Sequence, residues 1–102
     1  HDALPILIVF ADDLEGEELR ILMNLVLDHG KRLCAVFGGD EERGFRYVIG
    51  SRILDMRPLA KELNETFHGR GGGKSEMVQG SVQGNESEMR AWIQEKARKM
   101  NG

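Results

Sequence analysis

The segment that most constrains this chain is a glycine-rich stretch in its second half, residues 68–81, which reads HGRGGGKSEMVQGS. It places four of the thirteen glycines within five positions and puts Arg70 and Lys74 among and just after them. Each glycine costs about 0.5–1 kcal/mol relative to alanine in regular structure, so such a run needs a physical reason. Unshielded N–H groups can approach an anion closely, and the two cations would attract one. The alternative is a flexible connector, a role that glycine runs often have.

The length and composition indicate one small globular domain, which we expect to span residues 1–102. The chain is 40% hydrophobic and 30% charged, which is ordinary for a soluble protein. No apolar run approaches the ~18 residues that cross a bilayer, and the N-terminus lacks the pattern of a signal peptide. We therefore predict a cytoplasmic protein with no membrane partner. The start at His1 rather than at methionine favours a piece cut from a larger protein, or a processed chain.

The net charge of −3 is unevenly distributed along the chain. Residues 1–42 carry ten acids and three bases, a net −7, whereas residues 43–102 carry eleven bases and seven acids, a net +4. Non-specific affinity for nucleic acid depends on many phosphate contacts, so a net acidic chain is not a general polyanion binder. A localised basic face in the second half is compatible with this distribution.

The hydrophobic pattern predicts an α/β (α+β) sandwich with a mixed sheet of four to five strands, in the order β-α-β-β-α-glycine loop-β-α. Short apolar or alternating runs predict the strands, and apolar residues at helical spacing predict the helices. Asp12 with Glu15 has the spacing of a capping box for the first helix, and Gly30 fits its end. The strands are expected at 5–10, 32–37, 45–49 and 77–82, and the later helices at 56–67 and after Asn85, with Arg90 among the exposed bases of the last helix.

No complete catalytic or metal site is apparent, and we expect neither catalytic residues nor a metal or cofactor in this domain. The segment GRGGGKS departs from the P-loop pattern because His68 stands where glycine is required, and because a helix precedes it and a strand follows. Cys34 lies in an apolar run and is predicted to be a buried, inert thiol. His1, His29, His68 and Cys34 form no H-x-x-x-H or C-x-x-C pair, and no G-x-S-x-G motif is present.

Residues 68–81 resemble the glycine-rich signature of the DHH-associated domain, in the form found at the C-terminus of alanyl-tRNA synthetases and of long-form AlaX alanyl-tRNA editing proteins. The predicted order of elements is similar to that of the family along the whole chain. The resemblance implies a tRNA-binding and sometimes dimer-forming domain, with catalysis in separate domains, where the parent protein can bind zinc. His68 abuts the signature and can contact a phosphate or ribose, or instead cap the preceding helix. The matching positions are Gly69, Arg70, Gly71, Gly72, Gly73, Lys74, Gln79 and Gly80.

The ending Gln79-Gly80-Ser81 is closer to the editing-protein form, because the synthetase form usually has a further glycine at position 81. We therefore predict the C-terminal tRNA-binding domain of an alanyl-tRNA editing protein, with tRNA(Ala) as partner. A separate zinc-dependent domain would hydrolyse mischarged Ser- or Gly-tRNA(Ala). In the predicted mechanism, the amides of residues 71–73 and the side chains of Arg70 and Lys74 contact the sugar-phosphate backbone.

Three alternatives remain open at the level of the sequence. The first is the corresponding tRNA-binding or dimerisation domain of an alanyl-tRNA synthetase. The second is a protein-interaction module that forms a homodimer, in which the glycines only let backbone segments pack closely. The third is the substrate-binding half of a DHH phosphoesterase, although that class carries its histidine after the glycines, whereas His68 precedes them here.

Overall fold

The computed structural model describes residues 6–100, which form a single five-stranded sheet with three helices. The predicted α/β class and mixed sheet are confirmed. Pro5, which the apolar run assigns to the first strand, lies outside the described residues. The elements are β1 (Ile6–Phe10), α1 (Gly16–Asp28), β2 (Leu33–Asp40), β3 (Gly44–Gly50), α2 (Arg57–Thr66), β4 (Arg70–Lys74), β5 (Met77–Val82) and α3 (Glu86–Lys99).

The strands lie in the order β1-β2-β3-β5-β4 across the sheet. β1 and β2 are parallel, because the crossover through α1 returns the chain to the same end of the sheet. The other three pairs are antiparallel, and the predicted hairpin of β2 and β3 is confirmed. Its turn is held by Asp40, whose Oδ1 accepts a hydrogen bond from the Arg43 N–H at 2.7 Å. β5 is inserted between β3 and β4, so the glycine-rich segment joins the same sheet as the hairpin.

The helices cover the two faces of the sheet unequally. On one face, α2 packs on β4 and β5 while α3 contacts β1, and together they bury the larger part of the hydrophobic core, including Phe37, Tyr47 and Leu63. On the other face, α1 packs on β2 and β3, where Met23 joins a second cluster with Val36. The side of β4 and β5 that faces away from α2 is therefore left exposed to solvent.

α1 begins later than the pattern at Asp12 predicts. The N-cap is Glu15, which forms a capping box with Glu18, and the Glu18 carboxylate accepts from the Glu15 N–H at 3.1 Å. The predicted capping box of Asp12 and Glu15 is wrong, because the chain first makes a turn before the helix begins. In this turn the Leu14 N–H donates to the Ala11 carbonyl at 3.2 Å. The acids of this segment still lie at the start of the helix, where its dipole favours them.

The other helix ends follow the sequence more closely. Gly30 has a φ of +96° just past α1, as a terminating glycine should. Asp55 accepts from the Arg57 N–H at 3.0 Å at the start of α2, and its hydrogen bonds to Arg57 lower the pKa of its carboxyl to about 2. Asn85 is the N-cap of α3, and its Oδ1 accepts from the Glu88 N–H at 3.0 Å. The predicted cap of α3 is thus confirmed, whereas the N-cap of α2 is Met56, which provides no side-chain cap, and Asp55 precedes it by one residue.

The glycine-rich segment is a strand rather than the predicted loop. Arg70–Lys74 forms the edge strand β4. Two residues connect it to β5, with which it pairs along its whole length. Glycine has a low intrinsic preference for strands, so local propensity argued against this assignment, and pairing with the neighbouring strand overrides it. Gly71 and Gly73 have φ values of +150° and +158°, which residues with a side chain rarely adopt.

Arg90 is not the freely exposed base that the pattern of the last helix predicts. Its guanidinium donates to the Ile8 carbonyl at 3.0 Å and lies 5.1 Å from the ring centroid of Phe10. Because β1 is an edge strand, this contact satisfies one of its free backbone groups and attaches α3 to the sheet.

We expect Arg90→Ala to lower the free energy of unfolding by about 1–2 kcal/mol, because the Ile8 hydrogen bond and the contact with Phe10 are both lost. Arg98→Ala is the matched control, since Arg98 is exposed and, within residues 6–100, forms an ion pair with Glu95 of the same helix alone. It should change the unfolding free energy by about 0.5 kcal/mol at most. Urea denaturation measures both, and equal effects of the two substitutions would contradict a structural role for Arg90.

Candidate nucleic-acid interface

Six exposed residues lie side by side on the part of the sheet that α1 does not cover, and we call this surface the open face. They share one side because directly opposed residues of antiparallel strands point the same way. The register pairs Ser81 with Arg46 on one side and with Arg70 on the other, and it pairs Gln79 with Gly72. The open face consists of Arg46, Arg70, Gly72, Lys74, Gln79 and Ser81.

The large side chains that alternate with the open face along β3 and β5 are buried in the core on the other side of the sheet. Tyr47 and Val78 belong to this second set, and both are almost completely buried. The Tyr47 hydroxyl donates to Asn64 of α2 at 3.0 Å, and the Asn64 amide donates in turn to the Gly71 carbonyl at 3.3 Å. Burial raises the pKa of the Tyr47 phenol, so the hydroxyl keeps its proton for this bond. The network attaches the edge strand β4 to α2 and holds the open face in position.

The three cations of the open face have no acidic partner among residues 6–100. Eight other lysines and arginines of the same range form ion pairs with acids. Arg46, Arg70 and Lys74 are thus exposed positive charges on one surface, although the chain as a whole carries −3. This is the localised basic face that the charge distribution allowed.

A groove of about 1060 Å³ separates the open face from the start of α1. Arg46, Arg70, Gln79 and Ser81 line one side of it, and His68 lies at the end of this side. The other side is formed by the acidic segment 12–17 that leads into α1. The groove therefore has a positive wall and a negative wall, and an anion is attracted only to the first.

The structure brings together only some of the residues predicted for the site. Arg70, Gly72, Lys74 and Gln79 lie on the open face. Gly71, Gly73 and Gly80 point to the opposite side, and Gly69 lies at the junction of α2 and β4. The predicted cradle of three successive amides is not formed, because neighbouring residues of an antiparallel strand direct their N–H groups to opposite sides.

The glycines of this region differ in what the fold demands of them. A Cβ on Gly71 would collide with the Gln79 carbonyl, and one on Gly73 with the Met77 carbonyl. A Cβ on Gly72, in contrast, would meet no atom within 4 Å. The close pairing of β4 and β5 thus explains Gly71 and Gly73, whereas nothing in the described fold requires glycine at position 72.

His68 has a φ of +52°, and it is the one non-glycine residue of the described chain with a positive φ. It occupies the position after the end of α2, where the Gly69 N–H donates to the Asn64 carbonyl at 2.8 Å. This is the bonding pattern of a Schellman motif, in which glycine is usual. The imidazole is exposed and lies at the groove rather than on the helix carbonyls. Of the two alternatives left open for His68, its position favours contact with a ligand.

Arg46 and Ser81 belong to the open face but are absent from the residues predicted for the site. The signal for Arg46 is present in the sequence, since it is the charged residue that alternates with Phe45 and Tyr47 in a strand. Its proximity to Arg70 depends on the insertion of β5 between β3 and β4, and the order of strands is not visible in the pattern.

The candidates for other chemistry are not brought together. No group of three or more His, Cys, Asp or Glu side chains that could hold a metal lies within residues 6–100. Cys34 is completely buried, as predicted, and burial raises the pKa of its thiol to about 12. It therefore cannot act as a nucleophile in the folded domain. Among the described residues, no helix is both long and apolar enough to cross a membrane.

Comparison with known proteins identifies the family. The DHHA1 domain matches residues 3–100 of the chain. The chain belongs to the DHHA1 domain family. This DHHA1 domain is similar to an alanine–tRNA ligase from Acholeplasma laidlawii (strain PG-8A), with 30% identity over 79 residues. The match covers 78% of this chain but 9% of the ligase, so the domain corresponds to a small part of that relative.

The fold of the DHHA1 domain is similar to that of a solved structure. The C-Ala domain of alanyl-tRNA synthetase from Aquifex aeolicus superposes with a TM-score of 0.74 at 19% identity. The match covers 92% of this chain and 94% of that domain, so it extends over nearly all of both. At this level of identity the similarity shows a shared fold.

The contrast between neighbouring glycines can be tested by stability. We expect Gly71→Ala to lower the free energy of unfolding by about 1–3 kcal/mol, because alanine at this φ is strained and its Cβ meets β5. Gly72→Ala is the matched control, and its effect should stay within about 0.5 kcal/mol. Equal destabilisation by the two substitutions in urea denaturation would contradict the assignment of β4 as a paired strand.

His68 gives a second stability prediction. His68→Gly should be more stable than His68→Ala by about 1 kcal/mol, because only glycine adopts the left-handed conformation after α2 without steric cost. Alanine is the matched reference, since it also removes the imidazole but keeps the Cβ. Thermal or urea unfolding of the two variants measures the difference. Indistinguishable stabilities would show that residue 68 does not hold this conformation in solution.

Proposed function

We propose that this DHHA1 domain binds tRNA, and that it does so by placing the open face against the sugar-phosphate backbone. The observation that carries the proposal is a set of three exposed cations, Arg46, Arg70 and Lys74, which have no acidic partner and no covering helix within residues 6–100. Phosphate contacts of Arg and Lys provide most of the affinity of proteins for nucleic acids. An uncovered face is also accessible to a ligand as large as a folded RNA.

The composition of the open face supports contact with the backbone rather than with bases. Sheet surfaces that bind single-stranded RNA do so with aromatic side chains on which bases stack. The six residues of the open face include no aromatic residue, because Phe45 and Tyr47 of β3 point into the core. Arg, Lys, Gln and Ser side chains are suited to phosphate and ribose oxygens. Gly72 leaves space for the backbone of a ligand to approach β4 closely.

The relatives support a proposal for the nature of the RNA. The similar ligase from Acholeplasma laidlawii and the similar C-Ala domain from Aquifex aeolicus both belong to alanyl-tRNA synthetases by name. We therefore propose tRNA(Ala) as the partner and an alanyl-tRNA synthetase-like protein as the parent. An alanyl-tRNA editing protein, in which a zinc-dependent domain hydrolyses Ser- or Gly-tRNA(Ala), is the second candidate. The serine at position 81 favours it, whereas the similarity to a ligase favours the synthetase.

Replacing Arg70 and Lys74 together tests the RNA-binding proposal. We expect Arg70→Ala/Lys74→Ala to weaken binding of a tRNA(Ala) transcript about tenfold for each lost contact. The slope of log affinity against log salt should fall by about one for each phosphate contact removed. Fluorescence anisotropy across a salt series from about 50 to 200 mM gives both quantities.

The control for this experiment is Arg98→Ala/Lys99→Ala, which removes the same charge from the exposed face of α3. It should leave the salt slope unchanged, because α3 lies away from the open face. An unchanged slope for the double variant at positions 70 and 74 would overturn the role of the open face. Urea denaturation of every variant ensures that a loss of binding does not reflect unfolding.

The two candidate parents are distinguished by assays of the complete protein that contains this domain. A synthetase should attach alanine to tRNA(Ala), whereas a free-standing editing protein should only remove serine or glycine from mischarged tRNA(Ala). In either case the open-face variant should raise KM for tRNA more than it lowers kcat, because the domain positions the RNA and the reaction takes place elsewhere. A lower kcat with unchanged KM would contradict a positioning role.

A further inference from the structure

We propose that Arg46 of β3 and Arg70 of β4 form a clamp that holds one phosphate group of the RNA, with the hydroxyl of Ser81 of β5 between them. The clamp adds Arg46 and Ser81 to the residues that the glycine-rich signature points to. It rests on the proposed RNA-binding function, because it specifies which groups of the open face act together.

The register of three strands places the members of the clamp in one row. Arg46 pairs with Ser81, and Ser81 pairs with Arg70, so the three residues follow one another directly across β3, β5 and β4. Neighbouring strands are about 4.8 Å apart, which puts the Cα atoms of the two arginines about 9–10 Å from each other. Both arginine side chains are long and exposed, whereas serine is short. The two guanidinium groups can therefore converge above the Ser81 hydroxyl.

The electrostatics of the row favour an anion at this point. Two guanidinium groups that face each other repel, and neither is neutralised by an acid within residues 6–100. Arg43, the nearest arginine in sequence to Arg46, is by contrast fully engaged with Asp40, whose carboxylate it contacts at 3.1 Å. A phosphate between Arg46 and Arg70 relieves the repulsion and accepts hydrogen bonds from both.

Lys74 is too far away to take part in the same contact. It lies four residues from Arg70 along β4, a separation of about 13 Å at 3.3 Å per residue. It is therefore expected to hold a different phosphate. Gly72 lies between the two positions, where its missing side chain lets the RNA backbone pass close to the strand. The acids on the far wall of the groove repel phosphates. We therefore expect the RNA backbone to run from the clamp along β4, away from this wall.

A double-mutant cycle on tRNA(Ala) binding tests the clamp. We expect Arg46→Ala and Arg70→Ala each to weaken binding about tenfold. Because both side chains contact the same phosphate, the double variant should lose less than the product of the two single losses. Arg46→Ala combined with Lys74→Ala should instead lose the full product, since these two residues contact separate phosphates. Lys61→Ala is the single control, because Lys61 is an exposed cation on α2 at the opposite face of the sheet.

Each outcome of the cycle is decisive for one of the two proposals. Wild-type binding by Arg46→Ala, with weaker binding by Arg70→Ala and Lys74→Ala, would overturn the clamp and leave the proposed function intact. Fully multiplicative losses for positions 46 and 70 would show that they hold separate phosphates, which also overturns the clamp. Wild-type binding by all three variants would overturn the proposed function. Arg46→Lys, which keeps the charge but not the planar fork, should bind between wild type and Arg46→Ala if the clamp is correct.

Discussion

The pairing of β5 with both β3 and β4 is the interaction on which the rest of this structure depends. β5 follows β4 along the chain, yet it lies between β4 and β3 in the sheet. This insertion extends the β2–β3 hairpin by two strands and brings the glycine-rich segment into line with Arg46. The close approach of β4 to β5 in turn requires residues without a Cβ, which is why Gly71 and Gly73 are needed. A segment that looks like a flexible connector is thus an ordered edge of the sheet.

The unequal distribution of helices creates the candidate interface. α2 holds β4 from one side through the network of Tyr47, Asn64 and the Gly71 carbonyl, while on the other side no described helix covers β4 or β5 beyond Met77. A rigid support beneath an uncovered surface is a suitable arrangement for binding a large ligand, since little ordering is needed on association. The positive charges on this surface lie opposite the acidic segment before α1, so the domain can attract RNA locally while its net charge remains negative.

Much of the fold could be predicted from the sequence, because it is encoded in local patterns. Apolar runs, helical spacing and the cap at Asn85 each reflect contacts between residues close in sequence, and the structure confirms the elements they predict. The predicted start of α1 was wrong because two overlapping capping-box patterns occur there, one beginning at Asp12 and one at Glu15. The structure uses the one at Glu15. The strand β4 was missed because it is stabilised by its partner and not by its own composition.

The candidate site could be predicted only in part, for a related reason. Arg70, Lys74 and Gln79 were predicted because they accompany the glycines in sequence. Arg46 was missed because Arg70, two strands away in the sheet, lies 24 positions further along the chain. The two residues are brought together only by β5, which lies between their strands. The pairing of strands also decides at which positions the fold requires glycine. Gly72 differs from Gly71 and Gly73 in that it has no positive φ and a Cβ there would meet no atom within 4 Å.

Binding of RNA to the open face of the sheet is the proposed function of this domain. It is tested most directly by recording backbone amide NMR signals of the 102-residue chain during titration with tRNA(Ala). We expect shifts and line broadening to begin in β4, β5 and the neighbouring part of β3, around Arg46, while the exposed face of α3 is unaffected at the same ratio. Changes centred on α3 or on the outer side of α1, with β4 and β5 unperturbed, would contradict it.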